Sequence, residues 1–298
     1  NGIRLAHYQH SDYFYSLSDT AGMIVWAEIP FVGSDQSGYQ NSAEFQANAK
    51  QQLQELIRQN YNHPSVLFWG LYNEIGMKND PVLTGIIDDL HAVAKKEDPT
   101  RPTVAASFIS GRSGDDLHKI PEMIAWNQYY GWYYTTPDKL GDFLDKFHEE
   151  EPGYKIGVSE YGAGGSIHHH EENITRPFPI FHEWHPEEYQ ALVHEGNWKA
   201  IADRDFVWGS YVWNMFDFGS HFRREGDAIG INDKGMGSDD RKIKKDVFYF
   251  YKANWSDQPV VHITNSRFAI REKDEIDVKV YSNLESVELF VNGQSAGA

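Results

Sequence analysis

Two glutamates in this sequence stand where apolar runs give out. Gly70–Leu71–Tyr72–Asn73–Glu74 follows Ser65–Val66–Leu67–Phe68–Trp69, and Val158–Ser159–Glu160–Tyr161–Gly162 continues a run that opens at Lys155–Ile156–Gly157. Short apolar runs of this kind read as buried strands, so each glutamate falls where a strand passes into a loop. In a barrel of alternating strands and helices, that edge gathers the catalytic side chains. Two carboxyl groups there can divide the work of an acid/base and a nucleophile, the pairing that cleaves a glycosidic bond. The chain holds 44 acidic residues, and most acidic side chains are simply solvated. Position beside an apolar strand is what separates Glu74 and Glu160 from the rest.

The elements that must carry these residues alternate along the chain. Strands are predicted at Ile3 to Tyr8, Met23 to Ile29, 65–71, Pro102 to Ser107, Met123 to Gln128, Ile156 to Glu160 and Phe206 to Trp213. Helices are predicted at Asp12 to Ala21, capped by Ser11 and closed by Gly22, and at 41–60, where Phe45, Ala49, Leu53, Leu56 and Ile57 keep a 3–4 spacing. Others are predicted from Pro81, which suits a first helical turn, to about Lys96, then at Pro137 to Glu149, Pro186 to Ala202 and Lys244 to Lys252. Repeated strand–helix units predict a parallel (β/α)8 barrel of the TIM type. Seven strands are counted, and the first strand and helix are expected upstream of residue 1, because an open seven-stranded barrel would expose long edges. From about residue 256 the pattern changes to period two at Val260–Ile263, Ile276–Tyr281 and Val287–Val291, with Asn- and Gly-bearing turns between. This reads as the opening strands of an immunoglobulin-like β-sandwich. The expected domains are therefore a barrel over residues 1–255 and the start of a sandwich over 256–298.

Composition narrows the possible partners. The net charge is −17, which argues against nucleic acid and anionic membranes, whose binding is driven by Lys and Arg. No apolar run reaches membrane-spanning length. Nine Trp and seventeen Tyr supply flat amphipathic rings suited to sugar faces. The chain has no cysteine, so it uses neither disulfides nor thiolate chemistry and its compartment stays open. The run His168–His169–His170, with His182 and His185 nearby, lacks the separated ligand spacing of a structural zinc site and is read instead as a pocket wall after Glu160.

Taken together, Ile3 to Tyr8, Asn73–Glu74, Asn127 to Tyr133, Ser159–Glu160–Tyr161 and Trp213–Asn214 resemble glycoside hydrolase family 2, which includes β-galactosidases, β-glucuronidases and β-mannosidases. The likeness covers about residues 1–255 and runs on into the sandwich. The resemblance implies that Glu74 is the general acid/base and Glu160 the nucleophile of a retaining, exo-acting hydrolase of β-linked glycosides. It implies that Asn73 binds the sugar 2-hydroxyl, that Tyr129 hydrogen-bonds the nucleophile and that Trp213 forms a floor under the sugar, with Tyr133 nearby. His7 matches a substrate-facing histidine. Arg4 is expected to order the carboxylates, and Glu28 to accept a hydroxyl or to support a neighbouring side chain. No cofactor is required; the resemblance allows Mg²⁺ or Na⁺ near the acid/base, and family members commonly form oligomers.

Asn232–Asp233–Lys234 has the Asn-x-Lys spacing with which β-glucuronidases of the family grip a sugar carboxylate. The arginine that those enzymes place four residues before this asparagine is replaced here by Ala228, and no other cationic patch is expected beside Lys234. The expected substrate is therefore a neutral β-galactoside, with a β-glucuronide held by Asn232 and Lys234 as the alternative. A non-catalytic carbohydrate-binding barrel is a third reading.

Overall fold

The computed structural model describes residues 1–33, 42–75, 80–108, 117–176 and 182–298. Seven strands form one sheet in sequence order: β1 (Gly2–Leu5), β2 (Ile24–Glu28), β3 (Val66–Asn73), β4 (Thr103–Ser107), β5 (Met123–Asn127), β6 (Ile156–Tyr161) and β7 (Ser210–Val212). The ladders from β1 to β6 are all parallel. At the far side, Trp208 N–H donates to Ile156 O and Val158 N–H to Gly209 O, each at 3.0 Å. Parallel neighbours need long crossovers, and helices α1 (Asp12–Ala21), α2 (Ala43–Asn60), α3 (Pro81–Glu97), α4 (Lys139–Glu150) and α5 (Glu187–Ala202) lie in them, with α6 (Asp246–Trp255) after β7. Residues at the two ends of the sheet approach one another: a Cβ on Gly2 would stand 3.5 Å from the Tyr211 side chain. This is the arrangement of a TIM-type barrel.

Local chemistry explains the helix ends. Asp80 accepts from Val82 and Leu83 N–H at the start of α3, Ser42 accepts from Phe45 N–H at the start of α2, and Gly22 closes α1 with φ 63°. The first residue of the predicted second helix, Asn41, lies outside the described residues. Ser11 precedes α1 as expected, but its side chain makes no capping bond; only its carbonyl serves, accepting from Phe14 and Tyr15 N–H.

The chain divides into two compact units. The first comprises residues 1–128, 141–160 and 203–211. Its interior packs Trp26, Phe68, Val104, Ala106, Met123 and Ala125 with Trp208 and Tyr211, side chains contributed by alternating positions of the strands. The second comprises residues 129–140, 161–202 and 212–298. Here Tyr129, Trp132, Ala163, Tyr189 and Val193 pack with Tyr133 and Trp213. The buried Lys245 ammonium ties three loops of this unit, donating to Gly165 O, Asp217 Oδ1 and Asp233 O. Small antiparallel pairs complete it: β8 (Phe218–Gly219) with β9 (Ile231–Asn232), β10 (Val261–Ile263) with β11 (Val280–Ser282), and β12 (Leu289–Val291) with β13 (Gln294–Gly297). The predicted strand over Ile276–Tyr281 is laddered only from Val280 onward, since alternation sets a face but a strand also needs a neighbour's backbone. Among the described residues, no helix is long and apolar enough to cross a membrane.

Candidate active site

The first unit holds a dense polar cluster at the C-terminal ends of β1, β2, β3, β5 and β6. Arg4 on β1 is its hub and is almost fully buried. Its Nε and Nη2 donate to the two oxygens of Glu28, each at 2.9 Å, a bidentate pair. Nη1 donates to Glu160 Oε1 at 3.0 Å and to Ser159 O at 3.3 Å, and Nη2 donates to Asn73 Oδ1 at 2.8 Å. The guanidinium also lies 4.8 Å from the Trp26 ring centroid. Burial works against the arginine's charge, yet the fields of Glu28 and Glu160 outweigh it and raise its pKa further. Arg4 therefore stays a fixed cation beside Glu160.

Glu28 is committed to this network. His7 Nδ1–H donates to Glu28 Oε1 at 2.8 Å, the oxygen that also takes Arg4 Nη2. Burial favours the neutral acid, but the Arg4 charge and the His7 bond prevail and hold Glu28 below the usual carboxylate range. Of its two expected roles, the geometry is that of a support for neighbouring side chains: both oxygens fix Arg4 and His7. The other His7 nitrogen, Nε2, stands 4.0 Å from Glu160 Oε1. Strand β2 can carry Glu28 so close to β3 because residue 70 is glycine; a Cβ there would come within 2.3 Å of Glu28 Cβ.

Glu74 sits one residue past β3 with φ 52°, a left-handed conformation that costs a side-chain-bearing residue about 1–2 kcal/mol. Its N–H is held by Ala106 O at 2.9 Å. Its Oε1 accepts from Asn127 Nδ2 at 2.9 Å, and the same amide nitrogen donates to Asn73 Oδ1 at 3.1 Å. Ser159 Oγ–H fixes that amide by donating to Asn127 Oδ1 at 2.6 Å. A continuous chain of bonds thus runs from Glu160 through Arg4, Asn73 and Asn127 to Glu74. Burial above all, and then the Glu160 charge, push the Glu74 carboxyl up to about 7. The two carboxyls are chemically unlike: one is paired with a buried guanidinium, the other is poised to hold a proton near neutrality.

Asn73 has a donor to spare. Arginine can only donate, so the atom facing Arg4 is Oδ1, and Nδ2 has no hydrogen-bond partner among the described residues. Asn127 and Ser159 were legible as parts of motifs but not as the pair that orients Glu74. Asn127 is 53 residues from Glu74 in sequence, and only the strand order brings them together.

The remaining predicted residues belong to the second unit. Tyr129 packs edge-on to Tyr133 with centroids 5.1 Å apart, and Trp213 packs edge-on to Phe218. Asn232 Oδ1 accepts from Lys234 N–H at 3.2 Å, a local turn that fixes the lysine backbone. The Lys234 ammonium is buried, 5.4 Å from the Trp132 ring centroid and 5.5 Å from that of Tyr133, with Glu225 Oε1 at 3.4 Å. The absence of another cation beside Lys234 was a wrong expectation. Arg223 Nη1 donates to the same Glu225 oxygen at 2.7 Å and to Tyr133 Oη at 3.4 Å. Arg223 lies nine residues before Asn232 rather than four, so a spacing rule passes over it.

The histidines after Glu160 part company: His170 pairs with Glu188 and His185 with Asp233, while His169 stacks on Trp184. Among the described residues, no group of three His, Asp or Glu side chains is placed to hold a metal ion.

A barrel whose strand ends carry one carboxyl paired with a buried guanidinium and another lifted to about 7 by burial defines a glycosidase-type centre. Comparison with known proteins gives the lineage. Residues 1–257 match the TIM barrel domain of the glycosyl hydrolases family 2, and residues 273–298 match a domain of unknown function, DUF4982. The chain belongs to glycosyl hydrolase family 2. It is 50% identical over 301 residues to a beta-glucuronidase of Bacteroides fragilis, spanning 100% of this chain and 42% of that protein. Among solved structures it is similar to an FMN-binding beta-glucuronidase from Facaelibacterium prausnitzii L2-6 (TM-score 0.92, 43% identity, 100% of this chain and 45% of that one). It is also similar to a putative beta-galactosidase from Bacteroides fragilis (TM-score 0.91, 37% identity, 100% of this chain and 43% of that one). The chain thus spans less than half the length of the relatives it matches.

Proposed function

We propose that the protein carrying this chain is a retaining β-glycoside hydrolase acting on β-glucuronides. What carries the reaction is the contrast between Glu160, paired with the buried Arg4 guanidinium, and Glu74, lifted by burial, the two joined through one hydrogen-bonded chain. Glu160, facing Arg4, attacks the anomeric carbon and forms a glycosyl ester. Glu74, protonated at the outset, gives its proton to the departing glycosidic oxygen, then takes one from the water that cleaves the ester. The spare Asn73 amide donor serves the sugar 2-hydroxyl, a contact that strengthens in the transition state. Tyr129 and Trp213 take the nucleophile-bonding and sugar-floor roles that the family resemblance assigns. Each step is assigned to a side chain of this chain, so the reaction is written without a cofactor.

The choice of sugar rests on different observations. The relative at 50% identity is named a beta-glucuronidase, and Lys234 is a buried cation in the Asn-x-Lys spacing. These favour a uronic acid over the neutral galactoside that the sequence alone favoured. The β-galactoside reading keeps support from the structure titled a putative beta-galactosidase.

Side-by-side assays on p-nitrophenyl β-glucuronide and p-nitrophenyl β-galactoside test the proposal. The glucuronide is expected to be the better substrate, and Glu160→Gln to lower kcat by about 10³-fold or more. A preference for the galactoside would overturn the sugar assignment; undiminished turnover in the Gln variant would overturn the nucleophile.

A further inference from the structure

The cations around Lys234 hold more hydrogen-bond donors than the acceptors facing them use. Lys234 and Arg223 converge on a single carboxylate, Glu225, which is itself buried and whose second oxygen, Oε2, has no partner. Among the described residues, that carboxylate is the only hydrogen-bond acceptor of the Lys234 ammonium, and at 3.4 Å it is a long one. An ammonium has three protons to donate, and a buried cation is costly unless it is paired and fully hydrogen-bonded. The Trp132 and Tyr133 rings offset part of that cost by facing it, since a ring face attracts a cation.

Arg223 has capacity left as well. Its Nη1 is used on Glu225 and Tyr133, while Nε and Nη2 have no hydrogen-bond partner among the described residues. A guanidinium presents paired N–H groups in a rigid fork that matches a carboxylate. The cluster thus holds unused donors on both cations. Glu225 Oε1 bridges the two cations.

We infer that Arg223, with Glu225 as resident counter-ion, completes with Lys234 a two-cation subsite for the carboxylate of a uronic acid, and that Arg223 is a specificity-determining residue. This rests on the glucuronide reading above and adds a residue that the Asn-x-Lys spacing does not contain. Where Ala228 leaves a vacancy in the family pattern, Arg223 supplies a cation from elsewhere on the loop.

The test compares p-nitrophenyl β-glucuronide with its methyl ester, which is the same sugar without the charge. The native protein is expected to prefer the acid. In Arg223→Gln the acid-to-ester ratio of kcat/KM should fall by about 10- to 100-fold, the worth of a hydrogen bond to a charged group, chiefly through KM for the acid. Arg223→Lys should recover part of the ratio, since it keeps the charge without the fork. A purely structural role would lower both substrates together and leave the ratio in place. A native preference for the acid with a ratio within twofold of native in Arg223→Gln would overturn the role of Arg223 alone. A native protein indifferent to the charge would overturn the glucuronide reading and this subsite with it.

Discussion

At the scale of single residues, the site separates two carboxyl groups by environment rather than by type. Glu74 is lifted to about 7 by burial first and by the Glu160 charge second. If it is the general acid, it must be protonated in the free enzyme, so kcat/KM should fall about tenfold per pH unit above roughly 7. An alkaline limb at the ordinary carboxylate value, about 4.3, would remove Glu74 from that role. Stability follows the same proton. A carboxyl whose folded pKa exceeds its unfolded value binds protons more tightly when folded, so its contribution is full at acid pH. It is lost as pH rises from the unfolded value toward about 7. Glu74→Gln should therefore flatten the fall in stability across that window. The difference amounts to about 3 kcal/mol by pH 8, as an order of magnitude, from the size of the shift. It would be read from denaturant unfolding of both proteins at pH 5 and pH 8. Equal pH dependence in the two proteins would mean that the carboxyl is not perturbed in the fold.

At the scale of elements, much was legible because burial leaves a periodic mark. The strand ending in Asn73 and the strand bearing Glu160 stand out as apolar runs, and Gly22 and Pro81 mark helix ends through local backbone preference, whereas the side-chain caps at Ser42 and Asp80 are seen only in the structure. The partners of Arg4 are not local. They come from β2, β3 and β6, and no pattern within one segment says that an arginine on β1 will meet Glu28, Asn73 and Glu160. The same holds for Asn127, whose bond to Glu74 depends on register between strands, and for Arg223, which shares the Glu225 carboxylate with Lys234 only through the turn of a loop. One position joins register to chemistry. Strand β3 passes β2 with only a hydrogen at residue 70, where a Cβ would lie 2.3 Å from Glu28 Cβ and 2.5 Å from Trp26 Nε1. Gly70→Ala must push these backbones apart. The expected cost is about 1–3 kcal/mol, the range for overpacking a filled core, with a loss of kcat larger than that of an exposed control such as Gly85→Ala, which meets nothing within 4 Å. Melting curves and turnover of the two variants would decide it; a Gly70→Ala protein as active and as stable as the control would show that β2 and β3 can separate without disturbing Glu28.

At the scale of the whole chain, the two compact units are not consecutive stretches of sequence. The chain passes between them after residues 128, 140, 160, 202 and 211, and two of these passages cut through strands, β6 at Glu160–Tyr161 and β7 at Tyr211–Val212. A strand cannot keep half its ladder while the other half unfolds freely, because each residue is fixed by the same extended backbone and its neighbour's bonds. The passage through β6 falls immediately after Glu160, so the residue that closes the Arg4 pair is continuous with the segment that opens the second unit. Separate domains commonly unfold in separate steps, yet this connectivity couples the units through covalent strand continuity. The expectation is one cooperative transition, with far-UV circular dichroism and tryptophan fluorescence coinciding. Fluorescence is a fair witness because both units contribute to it: Trp26, Trp69, Trp126 and Trp208 lie in the first and Trp132, Trp184, Trp198, Trp213 and Trp255 in the second. Calorimetric and van't Hoff enthalpies should agree. Two resolved transitions would mean that β6 and β7 yield where the chain passes from one unit to the other.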